Sequence, residues 1–254
     1  EAMRLIDVGF STSLSIDASE VTEIRGESFI IYHVYRGMND QFLGIDDADL
    51  AVTGDLDVFM ANLLDTETTT GTISGSITRE TVETLKTLTG VNEYSITINA
   101  VDATSTTAAD LNAINALTSV PVDLVNVTAL AESSLSDLDT LAAAITDNEF
   151  SSVAGLTTIA VSDITIDASA LASAIDSIDE INGESTTGMT LAAGATINVD
   201  ASEVSEMLDD ETAGRLTISD QAITVTGEIS VDTANLLNET TSGVVTASIA
   251  TTET

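Results

Sequence analysis

The stretch VTGDLDVFMANLLDTETTTGTISGSI, residues 52–77, returns as VTGEISVDTANLLNETTSGVVTASI at residues 225–249. Residues 52–65 and 225–238 share Val, Thr, Gly, Val, Ala, Asn, Leu and Leu in register, and most other aligned pairs are conservative. After a gap of one residue, TTTGTISGSI aligns with TTSGVVTASI. Repetition of this length indicates a fold of stacked units, because a single unit cannot bury its own apolar face.

Shorter echoes extend the pattern along the chain. IDASEVTEI at residues 16–24 returns as VDASEVSEM at 199–207, and a shortened form, IDASALASAI, stands at 166–175. Between the echoes, stretches rich in Thr, Ile and Val alternate with Ala- and Leu-rich stretches that have helical spacing. The pattern predicts units of one strand and one helix, with strands centred near residues 15, 52, 74, 97, 124, 159, 197, 224 and 246. Three predicted helices carry apolar stripes: Leu111, Ile114 and Leu117; Leu135, Leu138, Leu141 and Ile145; and Val82, Leu85 and Leu88.

This alternation predicts an α/β fold, namely an open right-handed repeat solenoid in which short parallel strands alternate with short helices. The same alternation is compatible with a closed β/α barrel or a doubly wound sheet. Short, Thr-rich strands favour the solenoid, because strands buried on both faces read as continuous Val, Ile and Leu runs. We expect residues 1–254 to form a single solenoid that is a segment of a longer chain.

Polar residues at the unit boundaries are predicted to cap the helices. Thr107 and Asp110 have the spacing of a capping box. Asp17, Asp167 and Asp200 each follow a predicted strand and precede a helical stretch, where a carboxylate can accept hydrogen bonds from free helix amides. At the other helix ends, glycines that follow Thr or Ser are expected to adopt a positive φ. They are Gly71, Gly188 and Gly243.

The charge of the chain restricts its partners. The 254 residues contain 42 Asp and Glu against 6 Lys and Arg, which gives a formal net charge of −36. Nucleic-acid binding depends on cations that meet phosphates, so this charge excludes such a partner and disfavours anionic membranes. The acidity suits a saline or calcium-rich exterior, where salt screens the repulsion. The lack of Cys fits a secreted protein, and no apolar run reaches the roughly 18 residues of a membrane span.

Residues 25–48 depart from the repeat and form an atypical unit that contains aromatic residues. They hold two of the three Tyr, two of the five Phe and the single His of the chain. Helical spacing relates Phe29, Tyr32, Tyr35 and Met38. We therefore expect a bulkier helix whose aromatic stripe packs in the core.

The sequence offers few residues for catalysis and one type of metal ligand. With His33 as the single His and no Cys, neither a Cys-His pair nor an ordinary zinc site can be assembled. We expect no enzyme and no cofactor other than calcium. Asp46, Asp47 and Asp49 place hard oxygen ligands in a predicted turn and are the candidate calcium site. A second acidic cluster, Asp209, Asp210 and Glu211, is also predicted to lie in a turn, and solvated acidic turns are the alternative interpretation of both.

The stretches ITINAVDATSTTAADLNAINALTSVPVDLVNVTAL and VTGEISVDTANLLNETTSGVVTASI resemble the long repetitive proteins of marine bacteria, especially cyanobacteria. The resemblance covers most of residues 49–254. Proteins of this group are often described as calcium-binding or haemolysin-type surface proteins, and some related repeats occur in phage structural proteins. The resemblance implies an extracellular structural or adhesive role.

Three functions are compatible with these observations. The first is a non-catalytic structural segment of a secreted or surface-exposed repeat protein, working as a spacer, a filament or an adhesive stalk. Its expected partners are other copies of itself or neighbouring repeats of the same chain, and a cell surface or glycan. The second is a recognition module, such as a phage fibre or a host-binding adhesin tip, that makes contact through residues 25–45. The third is a carboxylate enzyme on a barrel.

Overall fold

The computed structural model describes residues 16–38, 42–182 and 188–251. Eight helices lie in this part of the chain: α1 Ser28–Met38, α2 Val58–Glu67, α3 Val82–Leu85, α4 Ala108–Asn115, α5 Leu135–Thr146, α6 Ala168–Asn182, α7 Val204–Thr212 and α8 Val231–Thr240. The strands of the same part are β1 Ile16–Asp17, β2 Glu23–Gly26, β3 Phe42–Leu43, β4 Asp49–Asp55, β5 Ile73–Ile77, β6 Glu93–Ile96, β7 Val122–Asp123, β8 Ala129–Ser133, β9 Phe150–Ser151, β10 Thr158–Val161, β11 Thr165–Asp167, β12 Gly188–Leu191, β13 Thr196–Asp200, β14 Leu216–Thr217, β15 Ala222–Ile229 and β16 Val245–Ile249.

Every strand pairing that the structure describes is parallel and joins one unit to the next. In the first half of the chain, β2, β4, β5 and β6 pair in that order, and bridges from Asn92 to Thr118 and from Thr97 to Asp123 continue the ladder. In the second half, β8, β10, β12 and β14 form one sheet, while β11, β13, β15 and β16 form another. The fold is therefore α/β with parallel sheets, as predicted, and none of the described sheets closes into a barrel.

Several units contain two strands, which corrects the prediction of one strand for each unit. In the unit that ends with α7, β12 and β13 belong to different sheets, and residues 192–195 form the turn between them. Met189 of β12 is buried, and so are Ile197 and Val199 of β13. Short strands such as β12 escaped prediction because two to four residues give too few alternations to reveal a period of two.

The helical stripes predicted from the sequence lie in the core. The buried members are Leu111 and Ile114 of α4, Leu135, Leu138, Leu141 and Ile145 of α5, and Val82 and Leu85 of α3 with the nearby Leu88. Leu117 is half-buried and packs against the same core. One apolar cluster extends from Ile31 to Leu237, so most units share a core, and a smaller separate cluster is formed by Ala18, Val34, Phe42 and Ile45.

Two predicted caps are confirmed. Thr107 Oγ1 accepts from the Asp110 amide at 3.1 Å, and Asp110 Oδ2 accepts from the Thr107 amide at 3.1 Å, which completes the capping box. Asp167 lies directly before α6 and accepts from the Ser169 amide at 3.0 Å. The hydrogen bonds from Ser169 lower the pKa of Asp167 below its ordinary value, as expected for a carboxylate at a helix start.

The caps predicted at Asp17 and Asp200 were wrong. Asp17 ends β1, but a turn and then β2 follow it, and its carboxylate accepts from Ser19. Asp200 ends β13, and α7 begins four positions later, after Glu203. The nearly identical stretches IDASEVTEI and VDASEVSEM thus continue as a strand and as a helix. The residues that follow decide between them, because Gly26 disfavours a helix whereas the residues after Met207 extend one.

The glycines of the long repeat have two different roles. Gly54 and Gly227 adopt φ of 85° and 98°, and the pairing of both strands shifts register near these positions. For Gly71, Gly188 and Gly243 the predicted positive φ was wrong. At Gly71 and Gly243 a glycine is needed because the gap between neighbouring units has no room for a side chain.

Backbone from a neighbouring unit fills the space beside Gly71 and Gly243. A Cβ added to Gly71 would overlap the carbonyl oxygen of Ala48, and one added to Gly243 would overlap that of Gln221. Both copies of the repeat therefore need glycine at this position, so that successive units can approach closely.

Replacement of Gly71 tests this close approach. Gly71→Ala is expected to lower the free energy of unfolding by about 1–3 kcal/mol, because the new methyl group forces two units apart. Gly188→Ala is the matched control, since the nearest atom to its added Cβ, the Gly214 oxygen, lies at 3.5 Å. The control should be neutral or about 0.4–1 kcal/mol more stable. Urea unfolding followed by circular dichroism measures both variants, and equal effects would contradict the close-approach explanation.

Candidate functional site

The turn that holds the predicted calcium ligands lies beside a buried phenol. Asp46 and Asp47 are in the turn between β3 and β4, and Asp49 begins β4. The hydroxyl of Tyr35 donates to the carbonyl oxygen of Ile45 at 2.7 Å. Burial, followed by the charges of the three carboxylates, raises the pKa of Tyr35 to about 12. The structure thus brings the three predicted residues to one corner of the fold.

Two of these carboxylates accept hydrogen bonds from the next unit of the chain. Asp47 Oδ1 accepts from Thr70 Oγ1 at 2.8 Å, and Asp49 Oδ1 accepts from the Thr72 amide at 2.8 Å. Within residues 16–38, 42–182 and 188–251, no group of three or more acidic, His or Cys side chains is placed to hold a metal. The contacts with Thr70 and Thr72 give the aspartates a role in stacking, and the calcium site stays a prediction.

The second acidic cluster does not lie in a turn, so that prediction was wrong. Asp209, Asp210 and Glu211 belong to α7, where Val204 and Met207 supply the apolar spacing that continues the helix. Asp210 faces inward, is buried, and forms an ion pair with Arg215. The three residues therefore do not form one acidic surface, because the carboxylate of Asp210 faces inward.

An acidic groove of about 380 Å³ lies between α6 and α7 beside this ion pair. Burial raises the pKa of Asp210; the guanidinium of Arg215 opposes that shift, and the charges of Asp176 and Glu206 add to it. The remaining lining is mostly small or apolar and includes Ala168, Leu171, Ala172, Met207 and Leu216. Sequence reasoning missed the groove because its acidic residues come from different units and become neighbours only when the units stack.

The atypical aromatic unit forms the predicted helix, but its stripe is only partly in the core. Tyr35 of α1 is buried, whereas Phe29 is exposed. The rings of Phe29 and His33 meet edge to face, with centroids 4.2 Å apart. Tyr32 accepts from Arg36 Nη1 at 2.8 Å. His33 is exposed beside the Phe29 ring, so this face of α1 presents both side chains to solvent.

The comparisons with known proteins give no relative. No family model, no curated protein and no solved structure matches the chain. None of the helices in the described part is long and apolar enough to cross a membrane.

Removal of the Asp210 partner should destabilise the protein in a pH-dependent way. We expect Arg215→Met to cost about 1–2 kcal/mol near neutral pH, a value reduced from that of a fully buried pair because Arg215 is one-third exposed. The variant raises the pKa of Asp210 further, so the folded state binds this proton more tightly than the unfolded state. Acidification towards the ordinary Asp range therefore relieves the cost.

Urea unfolding at about pH 7.5 and about pH 4.5 measures this difference. The matched control is Arg79→Met, which removes an exposed arginine that lies 2.8 Å from Asp55. The control should change stability little at either pH. An equal loss for Arg215→Met at both pH values would show that the ion pair does not govern Asp210.

The sequence predicts one weak calcium site at Asp46, Asp47 and Asp49. Calorimetric titration of calcium at fixed high sodium chloride should then give a saturable heat, because added calcium no longer changes the screening. Asp46→Asn and Asp49→Asn should abolish this heat. Asp139→Asn, on the exposed side of α5, should leave it unchanged. A flat titration of the unsubstituted protein would show that the acidic surface acts by screening alone.

Proposed function

We propose that the chain is a non-catalytic structural segment of a secreted or surface-exposed repeat protein, folded as one open right-handed solenoid. The observation that supports this proposal is that every described strand pairing is parallel and joins one unit to a neighbouring unit, although the strands fall into several separate sheets. Contacts between successive units allow any number of units to be added without a change in cross-section. A spacer, filament or adhesive stalk requires this property.

Amide side chains that bond neighbouring units support the proposal. Asn62 Nδ2 donates to the Thr87 carbonyl at 2.8 Å, and Asn62 Oδ1 accepts from the Thr89 amide at 2.9 Å. Buried Asn92 accepts from the Ile73 amide at 2.9 Å. The same kind of bond joins Asn99 to the Arg79 carbonyl, Asn112 to that of Asp137 and Asn126 to that of Ile98. Such bonds favour one register of stacking, because a shifted register would leave the buried Asn92 and the half-buried Asn112 and Asn126 amides unpaired.

Two of the cations also join neighbouring units. Lys86 Nζ contacts Asp110 Oδ1 at 2.7 Å and so joins the unit of α3 to that of α4. Arg79 Nε contacts Asp55 Oδ2 at 2.8 Å across another unit boundary. The remaining negative charge has too few cations to balance it, which favours a saline exterior where ions screen it. This charge is the ground for proposing an extracellular, salt-tolerant location.

One observation favours a second function, a recognition module of the kind found at an adhesin tip or in a phage fibre. Phe29 and His33 present an exposed aromatic pair on α1, in the atypical unit. Aromatic side chains are frequent anchors of protein interfaces and sugar sites. Binding of the chain to a cell surface or glycan that Phe29→Ser abolishes would favour recognition over a purely structural role.

Insertion of extra units tests the structural proposal. Copies of residues 49–71 can follow Gly71, because Leu50 pairs with Ile73 and each inserted copy preserves that register. Every copy should lengthen the particle by about 4.8 Å in small-angle scattering, with the cross-section unchanged. Copies of scrambled sequence are the matched control and should not lengthen the particle in this regular step. Unfolding of the true insertions, or growth of their cross-section, would contradict an open array.

A further inference from the structure

Three successive helices receive a hydrogen bond at their first residue from the unit that follows them. In each case the amide of the first helical residue donates to a side-chain oxygen that lies 20, 25 or 28 positions further along the chain. The bonds run from Val82 of α3 to Asp102 Oδ2 at 3.1 Å, from Ala108 of α4 to Ser133 Oγ at 2.9 Å, and from Leu135 of α5 to Asp163 Oδ2 at 2.8 Å. We call these three bonds the forward caps.

The forward caps are separate from the caps that each helix provides for itself. An amide in the first turn of a helix has no carbonyl acceptor within that helix. The residue before the helix caps the amide two positions beyond the first one. Ser134 Oγ accepts from the Asp137 amide at 3.1 Å, and Thr107 Oγ1 accepts from that of Asp110 at 3.1 Å. The first amide is left to the forward cap, and loss of the buried one at Ala108 would leave an amide unbonded in the interior.

Parallel pairing places the acceptors beside the helix starts. β8 leads into α5 and pairs with β10, so the segment after β10 lies beside the start of α5, and Asp163 belongs to that segment. β5 precedes α3 and pairs with β6, and Asp102 follows β6 in a single turn of 3₁₀-helix. The acceptor therefore comes from the unit on the C-terminal side, because a strand of that unit runs beside the strand that leads into the helix.

We propose that the forward caps are a conformational device that couples each of these helix starts to the following unit. Opening of a unit withdraws its acceptor, so the first turn of the preceding helix is released with it. Asp163 contributes more than an acceptor, because its negative charge lies at the positive end of the α5 dipole. The coupling has one direction along the chain, since in all three pairs the helix comes before its acceptor.

The direction of the forward caps distinguishes the helices from the strands. A strand such as β10 pairs with a strand of the preceding unit and with one of the following unit, so its hydrogen bonds couple in both directions. Loss of the Asp163 acceptor should instead loosen the start of α5, in the preceding unit, and leave the start of α6, in its own unit, in place. The inference goes beyond the proposed structural role, because it concerns how neighbouring units affect one another.

Amide exchange of the native chain, followed by NMR, tests the proposal. First-turn amides of a helix usually exchange fast, because they have no acceptor within the helix. The amides of Val82, Ala108 and Leu135 should instead be protected. Asp163→Ala should accelerate exchange at Leu135 about tenfold or more, which is the loss expected for a hydrogen bond to a carboxylate. The amide of Asp137, capped within its own helix, should keep its rate.

The same substitution at the other two junctions tests the direction of the coupling. Asp102→Ala should accelerate exchange at Val82, and Ser133→Ala should accelerate exchange at Ala108. Each variant should leave unchanged the helix that follows the substituted residue. A diagonal pattern of this kind, with one first amide released by each substitution, is not expected from a general loss of stability.

Two variants serve as matched controls. Asp163→Asn keeps an oxygen acceptor and should retain much of the protection at Leu135. Asp139→Ala removes a carboxylate from the exposed side of α5 and should leave Leu135 unaffected. Circular dichroism verifies that each variant is folded.

Fast exchange at Leu135 in the unsubstituted chain would overturn the proposal. Unchanged protection of Leu135 in Asp163→Ala would also overturn it, as would equal acceleration in α5 and α6. These outcomes are distinct from that of the insertion experiment. Forward coupling can fail while inserted units still lengthen the particle, and the structural function then stands.

Discussion

Parallel hydrogen bonding between each unit and the next is the constraint on which the rest of the structure depends. The pairing sets Leu50 beside Ile73 and, in the other half of the chain, Ile197 beside Ile223. Inward residues of successive units therefore stack on one another and build one large core, with a smaller separate cluster around Phe42 and Ile45. Because a lone unit has no partner for its strand edges or its apolar side, each unit is stable only through its neighbours.

Neutral side chains keep the units in register in a chain that has few cations. Thr241 Oγ1 donates to the Gln221 carbonyl at 2.6 Å, and Thr118 Oγ1 donates to the Tyr94 carbonyl at 2.7 Å. These bonds are buried and carry no net charge, so added salt screens them little. The acidic surface can then keep the protein soluble while the contacts between units stay unaffected by salinity.

Local signals made part of the fold predictable. The capping box of Thr107 and Asp110 and the stripes of α4 and α5 depend on residues within one helix, and the sequence predicted them correctly. The need for glycine at position 71 depends on the backbone of Ala48 in a neighbouring unit. The pairing of Asp210 depends on Arg215, which lies beyond the end of α7. The same limit explains why IDASEVTEI and VDASEVSEM were expected to be alike, and why the groove between α6 and α7 was missed.

Hydrogen exchange of the native protein tests most directly whether each unit is stabilised by its contacts with the adjacent units. Protection should be highest in the central strand β10, which pairs with a strand on each side. It should decrease stepwise towards β2 and β16. Uniform protection from one end to the other, lost in a single opening event, would contradict the account.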